Sequence, residues 1–459
     1  MAGYQNLNPL DYMFYVGDVL RRRVGMPGVN ILLLLELGGR LDVEGFNQAV
    51  RGMHRLYPAT TASLHRSKII GKPRWLLGRR CDDPAQWLEI RAAESTQGES
   101  LHQHAEDLLH TPLDCTSKPP VQFVLLRGHS GTDALAMRWP HFFMDARGGM
   151  ILLEELQRLY EEQVDPETLE SLGDENREDV EEMLRSMKRP ARMRAVIGGS
   201  GAAQPSDGRM LRLGEGQLDY DVRNLHYVLR TLDAEQAQGV KDAALRVCGF
   251  ARMGDFVRAC GIQALHRTIR PAERTRNGYL TMQLVDNRKR RQRGPVCHNF
   301  FSALPVFVPA STADDRKATA DLIAAATGEA LSAGVITQRY AAMDQLRQLP
   351  PSVLVGLTQR GIRSGPESFL GKSLAKAPSL PMGFMGSFTR PMSIFCGAPW
   401  ENVYGMGVIL PHEGFGLNLT TPNDPNRLNI TATYFEPNVT KGKIETFLDY
   451  FTYALGNTG

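Results

Sequence analysis

The sequence predicts an α+β protein built as two lobes, and three observations carry that prediction. Strand-like apolar runs and helix-like apolar stripes are mixed along the chain, without strict strand–helix–strand alternation and without a fixed-period repeat. At 459 residues the chain exceeds the roughly 250–300 residues at which a single hydrophobic core stops growing. A stretch rich in Gly, Ala and Ser, 198–208, follows a charge-dense, largely helical segment, 165–192. That region reads as a link between an N-terminal lobe, 1–208, and a C-terminal lobe, 209–459.

In the first lobe Val29 to Leu37 is an apolar run read as a buried strand, turned by Gly38-Gly39. Asp42 then caps a helix whose apolar residues Phe46, Ala49, Val50, Met53 and Leu56 recur at helical spacing until Pro58 stops it. Ser100 to His110 has a helical pattern. Its histidines at 102, 104 and 110 do not share one helical face, which argues against a metal site. Val121 to Leu126 and Ala134 to Trp139 read as strands joined by a turn at Gly128 to Asp133, and a helix runs from Met150 to about Gln163.

The second lobe opens with a strand near His226 to Leu232, and Asp233 caps a helix to about Val247. A helix Met253 to Ile269, strands Tyr279 to Val285 and Phe301 to Val308, and a helix Asp315 to Leu331 follow. Residues 345–381 are helical in part. The last hundred residues read as a meander, with a hairpin of Leu417–Thr421 and Leu428–Tyr434 and a closing helix Thr440 to Leu455.

Composition excludes several classes. A formal charge of +3 is too small to argue for nucleic acid, and no arginine-rich motif interleaved with aromatics appears. The six cysteines, at 81, 115, 248, 260, 297 and 396, show no CxxC pair, so neither zinc nor a disulfide framework is indicated. The longest apolar stretch, Val29 to Leu37, falls far short of the roughly 20 residues that span a bilayer. The N-terminus lacks the pattern of a signal peptide. A cytoplasmic, reduced, soluble protein is the expectation.

The chemistry concentrates where the strand ending at Trp139 meets the helix beginning near Met150. Between them lie Pro140, His141 and Asp145, with Gly148-Gly149 behind. A strand-to-helix turn can hold a side chain rigidly beside a cleft. A neutral imidazole there can take a proton from a hydroxyl, amine or thiol. Spacing alone is weak evidence, because His-x-x-x-Asp recurs by chance in long chains.

The flanks add weight. Pro140-His141-Phe142-Phe143-Met144-Asp145-Ala146 resembles the His-His-x-x-x-Asp-Gly motif of the chloramphenicol-acetyltransferase-like superfamily. That group includes condensation domains of nonribosomal peptide synthetases, wax ester synthases, polyketide-associated acyltransferases and plant acyltransferases. Pro112-Leu113-Asp114 with Pro119 to Leu126 is similar to the segment before the motif. Asn8-Pro9-Leu10-Asp11, then Val29 to Leu41 and the helix to Pro58, looks like the family's N-terminus. Val285-Asp286-Asn287-Arg288, followed by Asn299-Phe300-Phe301, resembles its second-lobe arginine segment.

The resemblance implies two chloramphenicol-acetyltransferase-like lobes, each a mixed sheet with packed helices, and an active-site tunnel between them. It implies an acyltransferase that moves an acyl group from a thioester to a hydroxyl or amine acceptor. The donor is acyl-CoA or a phosphopantetheine-linked acyl or peptidyl carrier protein, and no bound cofactor or metal is needed. His141 would be the general base, while Asp145 would be structural and paired with Arg288. Ser387, Thr389, Asn418, Thr420 and Thr421 are candidate oxyanion or substrate contacts, and a monomer is expected. The run Arg288 to Arg293 could attract the phosphates of coenzyme A or an acidic carrier. From Tyr404-Gly405-Met406-Gly407, near where plant members carry Asp-Phe-Gly-Trp-Gly, nothing is transferred.

Two departures matter. Pro140 stands where the first motif histidine usually sits, and Ala146 replaces the glycine. They motivate a rival reading, a catalytically inactive relative that acts as a binding scaffold in a biosynthetic pathway.

Overall fold

The computed structural model describes residues 3–66, 71–78, 81–172, 178–185, 210–214, 225–250, 252–274, 278–288, 296–363, 378–389, 392–407, 409, 414–421 and 427–456. The first lobe begins with β1 (Tyr4–Asn6), α1 (Pro9–Arg23), β2 (Asn30–Leu37) and α2 (Val43–Leu56). It continues through β3 (Ser63–Arg66), β4 (Pro73–Leu76), β5 (Leu88–Ala93), α3 (Gly98–His110), β6 (Gln122–Gly128), β7 (Asp133–Pro140) and α4 (Ala146–Glu161). Three of its helices start where the sequence provides a side-chain acceptor. Asn8 accepts from Asp11 N at the head of α1, Asp42 from Gly45 N at the head of α2, and Asp145 from Gly148 N at the head of α4.

β2 shows why an unbroken apolar run suits a central strand. Every second side chain, Ile31, Leu33, Leu35 and Leu37, joins the main core with α2 and α4. Leu32 and Leu34 point the other way, into a smaller cluster with Leu101, Ala105 and Leu108 of α3. β7 pairs antiparallel with β2 over its whole length, Asn30 opposite Pro140, and is likewise buried at every position.

The second lobe contains β8 (Leu225–Leu232), the hairpin of β9 (Gly278–Asp286) and β10 (Phe301–Pro309), and then β11 (Met382–Ser387). After β12 (Ile394–Phe395) and β13 (Ala398–Gly407) come β14 (Phe415–Thr421) and β15 (Leu428–Phe435). Its helices include Ala234–Cys248, Met253–Thr268, Arg316–Ser332 and Lys441–Gly456, while Val335–Leu346 is followed by Pro351–Arg363, which buries Leu354 and Val355 in the first lobe's core. The helix after Asp233 carries a full capping box with Gln236. A second core gathers Phe256, Ile262 and Leu265 with Leu417, Leu419, Ile430 and Phe447. Two hydrophobic cores thus divide the chain into two α+β lobes, as the pattern of elements predicts.

The lobes do not divide at a single point of the chain. The sheets run β12-β13-β2-β7-β6-β5 and β11-β14-β15-β8. β12 and β13, which lie inside 209–459, therefore cross back and complete the first lobe's sheet. Among the described residues the last hundred accordingly form no meander. β11 runs parallel to β14, and among these strands only the β14–β15 and β12–β13 pairs are both neighbours in sequence and antiparallel partners. The proposed link is also partly structured. Within it the helix Glu178–Arg185 buries Val180 and Leu184 against Phe300, Tyr340 and Ala341. Residues 173–177 and 186–208 of the link lie outside the described residues.

All six cysteines are buried free thiols. No single helix among the described residues is long and apolar enough to cross a membrane.

Candidate functional site

β7 ends at Pro140, and the chain turns at once into α4. The turn is tight because it is bonded to itself: Phe143 N donates to Pro140 O at 2.8 Å and the Trp139 indole to Met144 O at 2.9 Å. His141 N donates to Val29 O at 2.7 Å, extending the β2–β7 ladder by one bond. Behind it, α4 packs without room for side chains at two positions. A Cβ on Gly148 would strike the carbonyl oxygen of Val296, and one on Gly149 the indole of Trp139.

His141 is half-buried in the wall of a cavity of about 630 Å³ between the lobes. Its ring stacks on Phe14 of α1, centroids 3.7 Å apart and planes 14° from parallel, with Phe301 of β10 at 6.2 Å. Nδ1 is buried and meets no hydrogen-bond partner of good geometry among the described residues. Burial pulls the imidazole pKa down to about 4. The His141 carbonyl, the Asp145 carboxylate and the Asn299 side chain oppose that shift without overcoming it, and Arg21 reinforces it. The ring is therefore neutral at pH 7.

Asp145 has little capacity left for proton transfer. Its oxygens accept from Gly148 N at 2.8 Å, from Phe300 N at 2.9 Å and from Arg288 Nη2 at 2.9 and 3.0 Å. The Asp145–Arg288 pair is almost fully buried, and Arg288 Nη1 also reaches Asp286 at 2.9 Å. Burial works against the guanidinium charge, but the two carboxylates outweigh it and hold the Arg288 pKa above its ordinary value. The pair fastens the motif turn of one lobe to the arginine segment of the other. Of the basic run, Arg288 belongs to this pair, and residues 289–293 lie outside the described residues.

The other candidates separate. Asn418 lies in the cavity wall, its amide filling the space that Gly383 leaves. Ser387 is on β11 opposite Thr421; its side chain lies outside the described residues. Thr389 is exposed and bonds through N and Oγ1 to the Glu154 carboxylate, and it is not in the cavity wall. Thr420 is buried and donates to Val403 O at 3.2 Å, a lobe-to-lobe tie instead of a wall residue. Neither threonine is placed to meet an oxyanion at His141. Gly405, Met406 and Gly407 do reach the wall, because β13 crosses between the lobes there.

Sequence reasoning missed three contributors. Phe14 carries no signal beyond being aromatic on a helix. In sequence Asn299 is marked only by lying in a segment that resembles the family; its amide donates to the His141 carbonyl at 2.5 Å. Arg258 is buried and donates to the carbonyls of Met282 at 3.1 Å and Met382 at 3.4 Å, tying together the strands that carry the wall. Burial lowers its pKa to about 10, so it stays charged.

Away from the motif the wall is apolar: Met282, Leu284, Phe301, Ala303, Met382 and Phe384 line it. Charged groups gather at the motif end, as Asp145, Arg147, Asp286 and Arg288. No three metal-binding side chains converge among the described residues.

This two-lobe fold is shared with solved condensation domains. The first condensation domain of the calcium-dependent antibiotic synthetase, in complex with a substrate analogue, matches at a TM-score of 0.69 with 13% identity, covering 99% of this chain and 96% of that one. A mutant starter condensation domain of rhizomide synthetase RzmA, in complex with C8-CoA and Leu-SNAC, matches at 0.64 with 13% identity, covering 99% and 95%. The epimerization domain from the third module of tyrocidine synthetase B matches at 0.64 with 15% identity, covering 99% and 97%. No family model matches the sequence, and no curated protein does. One fold thus carries more than one named reaction, so the reaction has to be argued from the site.

Proposed function

We propose that this protein is an acyltransferase of the condensation type, moving an acyl group from a thioester to a hydroxyl or amine with His141 as general base. The carrying observation is the position and state of His141. A neutral imidazole on a rigid turn lines an inter-lobe cavity of about 630 Å³. The base removes the acceptor proton as the acceptor attacks the thioester carbonyl. The tetrahedral intermediate then collapses, expelling the thiolate, which takes the proton back from the imidazolium. Asp145 and Arg288 hold the turn and leave proton transfer to His141. The apolar wall suits a donor or acceptor with an apolar body, and Asn418 is a wall residue whose amide could meet a polar atom of it.

Structural relatives in complex with C8-CoA and Leu-SNAC, and with a substrate analogue, support a coenzyme A thioester as donor; an acyl or peptidyl carrier would present the same thioester. A biosynthetic role fits that chemistry. The test is product formation, read by mass spectrometry, from acyl-CoA and acyl-carrier donors offered to hydroxyl and amine acceptors. An ester or amide above the protein-free rate is expected. Thioester binding without product from any pair would overturn the enzyme reading. It would favour the scaffold reading, which Pro140 and Ala146 motivate.

A further inference from the structure

A general base on a histidine works only if one tautomer is enforced, because the nitrogen facing the substrate must carry a lone pair. Here the atoms around the inner nitrogen decide the tautomer. Nδ1 of His141 is buried, and so is Oδ1 of Asn299; neither has a partner at good hydrogen-bond geometry among the described residues. Asn299 is fully buried. Its orientation is settled by its other end: Nδ2 donates to Asp11 Oδ1 at 2.7 Å and to the His141 carbonyl at 2.5 Å. Flipping the amide would set its oxygen against both acceptors, so Oδ1 is held on the opposite side.

Asp11 is itself fixed. Its Oδ1 also takes the Asn299 backbone N–H at 2.9 Å, and its own N–H is capped by Asn8 Oδ1 at 2.7 Å. The Asn8 amide in turn reaches Asn299 O at 3.0 Å. One turn further along α1, Phe14 stacks on the imidazole. The two groups that hydrogen bonding brings to bear on the ring, the His141 carbonyl and the Asn299 side chain, both raise its pKa. Both act as acceptors.

We propose that Asn299 is a positioning residue for His141. Its Oδ1 faces Nδ1 and keeps the proton there, its Nδ2 pins the His141 carbonyl, and Asp11 sets the orientation of the amide. Nε2 is then the bare nitrogen available to a substrate. The inference rests on the reading of His141 as a base for its catalytic consequence, but the tautomer itself can be measured without turnover. Asp145 and Arg21 are the charges that act on the ring, and neither offers Nδ1 a donor among the described residues. Burial raises the pKa of the Asp11 carboxyl well above its ordinary value, and its Oδ1 remains an acceptor for Asn299.

The experiment is ¹⁵N NMR of histidine-labelled full-length protein at neutral pH, with His141→Ala to assign the resonance, on wild type, Asn299→Leu and Asp11→Asn. Asp11→Asn keeps size and packing should the leucine variant fail to fold. The expected wild-type spectrum shows a protonated Nδ1 and a bare Nε2, with both folded variants moving toward a mixture. In steady-state kinetics kcat should fall about 5- to 100-fold with KM little changed, the effect of one mispaired buried group. A protonated Nε2 in wild type, or an unchanged tautomer in a folded variant, would overturn the proposal. If the tautomer depends on Asn299 while no form turns over a thioester, the positioning stands and the acyltransferase reading fails.

Discussion

Replacing Asp145 by alanine removes one carboxylate that satisfies three separate donors, and the cost can be worked from each. Losing the cap on Gly148 N, now 2.8 Å away, costs about 1 kcal/mol. The Phe300 N–H, at 2.9 Å, would be left buried and unpaired, roughly 1–3 kcal/mol. Orphaning a buried ion costs about 3–5 kcal/mol, but Arg288 retains Asp286 at 2.9 Å, which puts this contribution at the low end or below. These contacts share one group and relax together, so the sum is an upper bound, and about 4 kcal/mol is expected. Urea unfolding of wild type, Asp145→Ala, Arg288→Met and the double variant measures it. Because the methionine removes the orphaned charge, the double variant should be more stable than additivity predicts by at least about 1 kcal/mol. A loss below about 1 kcal/mol for Asp145→Ala, or strict additivity, would refute the claim that this pair clamps the lobes at the motif.

The remaining expectations concern pH and packing. With the His141 pKa held at about 4 by burial, the base is fully neutral above pH 5 and is lost as pH falls through that value. The acid limb of kcat/KM should therefore centre near 4, and a limb near the ordinary histidine value of about 6.5 would contradict the burial argument. Because the depressed pKa means the folded state resists protonating this ring, the same group should favour unfolding progressively below about pH 6.5, which acid titration of stability checks. Gly149→Ala should destabilise by about 1–3 kcal/mol through overpacking against Trp139, although alanine is the better helix former by about 1 kcal/mol. A stabilised variant in thermal unfolding would show that the close approach is absent.

What could be read from the sequence was local. The strand β2, the capped helices behind Asp42 and Asp233, and the β14–β15 hairpin all carry their signal within a dozen residues. The hydrophobic period or a capping side chain announces each. The motif helix reads from Met150 in the sequence, and its true start at Ala146 behind Asp145 shows only in the structure. The crossing of β13 to the first lobe has no such signal, since Tyr404 pairs with Leu34 some 370 positions earlier. The small sheet of β1, β3 and β4 was illegible for the same reason, its strands being three or four residues long. At the site, His141 and Asp145 were legible because a turn puts them close in sequence, and Arg288 came through the resemblance. Thr389 and Thr420 looked equal to Asn418 because polarity on a late strand says nothing of which way a side chain faces. Asn299 and Phe14 act on His141 from 158 and 127 positions away, so only folding reveals them.

Proton transfer at His141 is the step on which the proposed reaction depends. The most direct measurement is the thioester condensation rate of His141→Ala beside wild type, at neutral pH and saturating substrates, with folding of both checked by circular dichroism. Removal of a general base predicts a fall of about 10²–10⁴-fold, with thioester binding retained. Equal rates in the two proteins would contradict it.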